Sequence, residues 1–379
     1  MTTFAVVTGG GTSGHVLPAL AVAEALVEAG HPRESVHYVG TQRGVETRLV
    51  PPTGFPHTFL DVAGLQRRLT PKNVWRNLAL PWRVWRSVRA ATALLRTLQP
   101  AVVVNLGGYG SFPATWAARR LGIPYVVVSY DRRPGLVSKL MAKRAAVCAV
   151  AFEGSALPHA EHTGAPVRGE MVRLDRAAAR YEARRELGLP GDRFVVGVVC
   201  GSLGAAAVNE TVAAMVEQLA DRHDLAVYHV VGDRYLDSAA PARDADAGIL
   251  YRVIGYEQRM ATLYAAADIL VTRAGAGTIA ELATVGAPAI VVPWPGAAEN
   301  HQVANAKVLS DRGAAVLIEQ ADLTVARLVA EVERFLTDRV ALSALAERAR
   351  AEGAVHRSGR LVQVVERVAK RPGSTNGGH

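Results

Sequence analysis

The residues best suited to chemistry lie late in the 379-residue chain, in Thr272-Arg273-Ala274-Gly275-Ala276-Gly277-Thr278-Ile279-Ala280-Glu281. An apolar run, Ile269-Leu270-Val271, precedes them and an apolar helical pattern follows. Glycine and alanine let backbone N–H groups approach an anion, and a helix starting there adds unpaired amides and the positive end of its dipole. The stretch reads as a phosphate-binding turn. Thr278 and Glu281 support two readings: a Thr-x-x-Glu capping box, or side chains that hold a ligand. Beyond the next apolar run, Ala289-Ile290-Val291-Val292, come Pro293-Trp294-Pro295-Gly296 and the polar Glu299-Asn300-His301-Gln302, with Asn305 following. Ligand-type residues after successive strands are what an open α/β sheet places at its carboxyl edge.

A second candidate opens the chain. Gly9-x-Gly11-x-x-Gly14 follows an apolar strand and formally matches a dinucleotide fingerprint, but the next strand ends Val39-Gly40-Thr41 without the carboxylate that would hold a ribose. A nicotinamide cofactor is therefore disfavoured. His15 directly follows this turn at a helix start, where the dipole disfavours imidazolium and leaves a ring able to accept a proton; a structural His capping the turn is the alternative. Gly107-Gly108-Tyr109-Gly110-Ser111 is a third such turn, in which Tyr109 serves either the site or packing. Asp244 and Asp246 have the look of a metal pair but fall in a polar loop away from any strand end, so they read as incidental acids. Cys200 has no evident base partner and reads as a small packed hydrophobe.

These residues need a scaffold of alternating strands and helices. Strands are expected at Phe4–Val7, Val36–Val39, Thr58–Val62, Ala101–Asn105, Tyr125–Val128 and Val147–Ala151. The pattern repeats at Phe194–Val199, Ala226–Val231, Leu250–Ile254, Ile269–Val271, Ala289–Val292 and Ala315–Ile318. Helical stretches between them predict parallel sheets covered on both faces, in two Rossmann-like halves. The first helix is expected to run through Leu26 with Pro18 in its first turn. The boundary falls near Gly164-Ala165-Pro166-Val167-Arg168, giving domains 1–168 and 169–354, with a last helix at about 355–370 returning to the first half. Residues 370–379 read as a disordered tail. Two cysteines exclude a disulfide framework, the N-terminus does not read as a signal peptide, and no apolar run suits a membrane span.

The net charge of +9 is unevenly spread. Residues 1–168 hold 19 Lys and Arg against 8 Asp and Glu, and the remainder 24 against 26. Within the basic half, residues 65–96 carry Arg67, Arg68, Lys72, Arg76, Arg83, Arg86, Arg89 and Arg96 without one acidic residue, together with Trp75, Trp82 and Trp85. Tryptophan and arginine beside apolar Val74, Leu78, Leu80 and Val84 suit an anionic membrane surface; the plainer reading is a solvated, partly packed helix pair. Nucleic acid is not the expected partner.

Taken in order, several motifs resemble one family. They are Gly10-Gly11-Thr12-Ser13-Gly14-His15-Val16-Leu17-Pro18-Ala19, Gly107-Gly108-Tyr109, Gly164-Ala165-Pro166-Val167-Arg168 and Gly201-Ser202-Leu203-Gly204-Ala205. Arg273 to Thr278 with Glu281, and His301-Gln302 with Asn305, complete the set. The family comprises the peptidoglycan glycosyltransferases that add N-acetylglucosamine from UDP to lipid I, giving lipid II. The resemblance implies a GT-B fold, two Rossmann-like domains facing each other across a cleft, at the cytoplasmic face of the cell membrane, with neither cofactor nor metal. It implies that Arg168, Ser202, Ala276, Gly277, Thr278, Glu281, His301 and Gln302 hold UDP-N-acetylglucosamine, Glu281 through ribose hydroxyls and Gln302 through the sugar. Thr12, Ser13 and Gly14 would face the donor and acceptor diphosphates, Asp131 would touch the donor, Tyr109 the undecaprenyl-diphosphate-linked acceptor, and His15 would be the base. The chain departs from the family's usual His-Glu-Gln-Asn run, having Val128-Ser129-Tyr130-Asp131, so that Asp131 stands where Asn is usual. Ser13 replaces a frequent glycine, and His301 stands where some members have Gln. Rival readings are a GT-B transferase with another acceptor, a UDP-sugar epimerase, and a catalytically silent UDP-sugar-binding subunit.

Overall fold

The computed structural model describes residues 2–62, 80–201, 204–297 and 300–370. The chain divides into two compact units, one made of residues 1–169 together with the segment from Val355 onward, the other of Glu170–Ala354. Trp75, Arg76 and Ser202 lie outside the described residues.

In the first unit β1 (Ala5–Thr8), α1 (Ser13–Glu28), β2 (Val36–Thr41), α2 (Glu46–Leu49) and β3 (His57–Leu60) come first. After α3 (Leu80–Leu98) follow β4 (Val102–Asn105), α4 (Phe112–Leu121), β5 (Tyr125–Ser129), α5 (Leu136–Ala142), β6 (Val147–Val150) and β7 (Ala160–His162). The strands pair in parallel in the order β3-β2-β1-β4-β5-β6-β7. Valines dominate β1, β4 and β5 because helices cover both faces there; Val6, Val103 and Val127 are wholly buried. β7 is the strand the sequence pattern does not announce. It is a polar edge strand, Ala-Glu-His, added to β6 by backbone pairing and by a bond between His162 Nε2 and the Ala151 carbonyl at 3.1 Å.

In the second unit α6 (Gly169–Val172) and α7 (Arg176–Leu187) lead into β8 (Phe194–Val199), α8 (Ala206–Gln218), β9 (Leu225–Val230) and β10 (Leu250–Ile254). Then come α9 (Met260–Ala266), β11 (Ile269–Thr272), α10 (Ala276–Val285), β12 (Ala289–Val291), α11 (His301–Ser310), β13 (Val316–Leu317), α12 (Val325–Thr337) and α13 (Arg339–Glu352). Its strands are also parallel, in the order β10-β9-β8-β11-β12-β13. Each sheet thus reverses its winding beside its first strand, between β1 and β4 and between β8 and β11. Such switch points open a crevice at the carboxyl edge for ligands.

The last helix, α14 (Arg360–Ala369), buries Leu361, Val364, Val365 and Val368, a helical 3–4 spacing that presents one apolar face to the first unit. His31 Nε2 meets Glu366 Oε1 at 3.0 Å on that helix. Three helices of the second unit are capped by side chains: Asp175 Oδ1 accepts from the amides of Ala177 and Ala178, Thr324 Oγ1 from Arg327, and Asp338 Oδ1 from Ala341. The first turns of α1 and α10, which follow the glycine turns, have no side-chain cap and no acidic residue. Their amides are thereby left for something else.

Candidate active site

The first glycine turn leaves β1 and is fixed by side chains that arrive from β2 and α2. Tyr38 on β2 donates its hydroxyl to the Gly9 carbonyl at 2.5 Å. Glu46, wholly buried at the start of α2, accepts through Oε1 from the amides of Thr41 at 2.9 Å and Gly11 at 3.2 Å. Asn105, at the end of β4, accepts from the Gly107 amide at 2.6 Å and so sets the neighbouring turn. A Cβ on Gly11, whose φ is +98°, would overlap the Tyr109 ring, and one on Gly108 would overlap the Gly10 carbonyl. The two turns are pressed together closely enough that only glycine fits, and Tyr109 packs over Gly11 as well as against the core.

His15 sits where these turns meet. Its Nδ1 lies 2.6 Å from the Tyr130 hydroxyl, and the Gly108 backbone walls the ring, since a Cβ there would come within 2.7 Å of His15 Cδ2. Burial is the chief cause that pushes its imidazole pKa down; the charge of Asp131, the nearby Leu106 carbonyl and the charge of Glu46 oppose it. The ring is kept neutral by desolvation. Tyr130 follows β5, and burial raises its phenol well above the ordinary range. Pro18 is placed differently from the sequence expectation: α1 already begins at Ser13, so Pro18 falls in the second turn rather than the first.

In the second unit the turn after β11 delivers α10. Gly275 is the N-cap residue, with φ −62° and ψ 142°. Thr278 and Glu281 therefore both lie inside the helix, and Thr278 is not the N-cap that a capping box at this spacing requires. That reading is corrected by where the helix begins. Glu281 is half-buried and its Oε2 is 3.5 Å from the Tyr264 hydroxyl. A Cβ on Gly277 would meet nothing within 4 Å, so this glycine faces open space; at Gly204, by contrast, a Cβ would overlap the Val231 carbonyl. Packing thus explains Gly204 and leaves room at Gly277.

Several conspicuous residues around this turn hold the scaffold. Arg273 donates to the carbonyls of Val292 at 3.1 Å and Pro293 at 3.2 Å and to Gln320 Oε1 at 2.7 Å. Asn305, buried on α11, donates to the Ala274 carbonyl at 3.3 Å, and Gln302 Oε1 accepts from the Trp294 amide at 2.9 Å. His301 is the first residue of α11. Cys200 is buried and its thiol is pushed up to about 12 by burial, which suits packing. Asp244 is exposed and faces Arg252 at 3.5 Å.

Thr12 is the N-cap residue of α1, and its carbonyl accepts from the amides of His15 and Val16, while Ser13 and Gly14 open the helix. Asp131 directly follows Tyr130 in the first unit, and Arg168 is half-buried near that unit's boundary. On α3, Trp82 and Trp85 are 61% and 49% exposed and stack at 4.9 Å between ring centroids. Arg89 lies over Trp85 at 5.6 Å, Arg86 is exposed and Arg83 half-buried. Glu46 and Tyr130 are the residues that sequence reasoning did not assign to the site. Neither carries a local signal; only the Gln-to-Tyr departure at Tyr130 marked its position.

Two parallel Rossmann-like sheets, each with a glycine turn at its switch point, define a GT-B type fold. Residues 5–150 match the N-terminal domain of glycosyltransferase family 28 and residues 195–361 its C-terminal domain. The chain belongs to this family. It is 40% identical over 371 residues to an Acidothermus cellulolyticus protein named UDP-N-acetylglucosamine–N-acetylmuramyl-(pentapeptide) pyrophosphoryl-undecaprenol N-acetylglucosamine transferase, covering 96% of this chain and 97% of that one. A Desulforudis audaxviator protein of the same name is 37% identical over 374 residues, 96% and 98% of the two chains. The crystal structure of Acinetobacter baumannii MurG superposes with a TM-score of 0.72 at 30% identity, covering 96% and 100%. A putative UDP-N-acetylglucosamine 2-epimerase from Listeria monocytogenes, at 15% identity and TM-score 0.67, shares the fold.

Proposed function

We propose that the chain transfers N-acetylglucosamine, with inversion, from UDP-N-acetylglucosamine to the C4 hydroxyl of N-acetylmuramic acid in undecaprenyl-diphosphate-linked lipid I, forming lipid II. The observation that carries this is the near full-length similarity, at 37–40% identity, to relatives whose names state this transfer. In the second unit the uncapped start of α10, with Ala276, Gly277 and Thr278, holds the donor diphosphate; Glu281 accepts from the ribose hydroxyls, and Ser202, His301 and Gln302, with Arg168 of the first unit, complete the donor contacts. In the first unit Thr12, Ser13 and Gly14 face diphosphate, Asp131 touches the donor and Tyr109 the acceptor. His15 takes the proton of the attacking hydroxyl while its oxygen bonds to C1. The C1–O bond to the diphosphate breaks and UDP leaves with the electron pair, stabilised by amides aimed at the developing charge.

The lipid-linked acceptor requires a membrane surface, and we assign it to α3. Two exposed, stacked tryptophans among Arg83, Arg86 and Arg89 suit the interface of an anionic bilayer on the cytoplasmic side. Among the described residues no helix is long and apolar enough to cross a membrane. A transfer assay with UDP-N-acetylglucosamine and lipid I, run beside other lipid and soluble acceptors and beside an epimerisation assay without acceptor, tests the reading. A disaccharide product with lipid I is expected. UDP release only with another acceptor, or epimerised donor alone, would replace it.

A further inference from the structure

Tyr130 is held by three close polar partners. Its hydroxyl oxygen lies 2.6 Å from the Gly14 carbonyl oxygen, 3.3 Å from the Leu106 carbonyl oxygen and 2.6 Å from His15 Nδ1. A phenol carries one proton and two lone pairs, and a carbonyl oxygen only accepts. Two oxygens at 2.6 Å need a proton between them. The phenol proton therefore lies toward Gly14, and the bond to Nδ1 must use a proton carried by the imidazole.

The Gly14 carbonyl is available for a reason written in the same helix. In α1 it would ordinarily accept the amide of the residue four further on, which is Pro18 and has no N–H. The proline that falls in the second turn thus leaves an acceptor that Tyr130 satisfies from just beyond β5, across 116 positions of sequence.

We infer that Tyr130 is a positioning residue: with its own proton committed to Gly14, its oxygen accepts the Nδ1 proton of His15 and fixes the tautomer in which Nε2 carries the lone pair. This rests on the reading of His15 as the base. A free neutral imidazole exchanges between two tautomers, and only the one with a bare Nε2 leaves that nitrogen able to take the acceptor's hydroxyl proton. Desolvation, which keeps the ring neutral, and the wall made by Gly108 act together with this bond, so that ring, tautomer and orientation are set before substrate arrives.

The test is long-range proton–nitrogen correlation spectroscopy on the full chain labelled with ¹⁵N-histidine, with His15 assigned by loss of its signals in His15→Gln. At neutral pH the wild type should show His15 with its proton on Nδ1; a proton on Nε2 overturns the proposal. Tyr130→Phe should show both tautomers, and its kcat should fall by between about tenfold and 10²-fold, as for a misplaced catalytic group, with KM for UDP-N-acetylglucosamine unchanged. A Phe variant that folds yet keeps the wild-type tautomer and kcat overturns it too. If that variant does not fold, the wild-type spectrum decides alone. The outcome is separable from the base assignment: His15→Ala with near-normal turnover removes the base whatever the spectrum shows, and an Nε2 proton removes the Tyr130 role whatever His15→Ala does.

Discussion

Replacing Glu46 offers a measure of how firmly the first glycine turn is built. The carboxylate is wholly buried, with Oε1 accepting from Thr41 and Gly11 and Oε2 lying 3.3 Å from the same Gly11 amide. In Glu46→Gln the retained oxygen still reaches both amides, but as a neutral acceptor, and the new amide nitrogen turns a donor toward Gly11. A charged acceptor is worth about 1 kcal/mol more per donor than a neutral one, so two donors give a loss of about 2 kcal/mol. For a unit of this size that lowers the midpoint of its unfolding by roughly 4–8 °C. Glu46→Ala leaves both buried amides unpaired and opens a cavity, which raises the cost to about 4 kcal/mol or more. Calorimetry of the first unit's transition reads these values. Turnover should fall in parallel, by roughly tenfold or more in Glu46→Gln, because the turn that carries His15 shifts. A Gln variant that melts with the wild type and turns over normally would show that the turn holds its shape without this carboxylate.

Other perturbations address the rest of the site. His15→Ala should lower kcat by roughly 10²–10⁴-fold with UDP affinity little changed. Glu281→Gln, no longer open to a capping explanation, should weaken UDP binding by roughly 10- to 150-fold, the equivalent of a charge-assisted hydrogen bond, while melting of the free protein barely moves; equal UDP affinity by calorimetric titration would remove Glu281 from the donor contacts. Arg83→Glu with Arg86→Glu should release the protein from anionic vesicles and impair a long-chain acceptor more than a short soluble one, and equal loss with both acceptors would detach α3 from the membrane. His37, His229 and His356 each have their pKa lowered to about 4, mainly by burial. The unfolded chain binds their protons first, so the stability they contribute is complete above about pH 6.5 and is lost as pH falls through 4, by up to about 3 kcal/mol each. His356→Gln, which still accepts from the Ala165 amide, should flatten that acid limb, and an unaltered limb in thermal melts would assign the loss elsewhere.

The amino-acid sequence by itself determined the strands other than β7, the parallel class and the two halves. Short valine-rich runs such as Val102-Val103-Val104 and Phe194-Val195-Val196 can only be satisfied by burial on both faces, and glycine clusters end them. It also marked the turns at Gly9–Gly14 and Gly275–Gly277 as glycine clusters, although close approach demands glycine only in the first, at Gly9, Gly10 and Gly11. Tertiary structure decided what those turns touch. Whether Thr278 caps depended on the backbone angles of Gly275, three residues earlier, since the same Thr-x-x-Glu spacing fits a helix that starts at either place. Glu46 and Tyr130 entered the site because the order β3-β2-β1-β4-β5 brings the ends of β2 and β5 to the end of β1, across 35 and 115 positions of sequence. Periodicity is a local property of a chain, and hydrogen bonds that close over such distances exist only once the sheet has chosen its strand order.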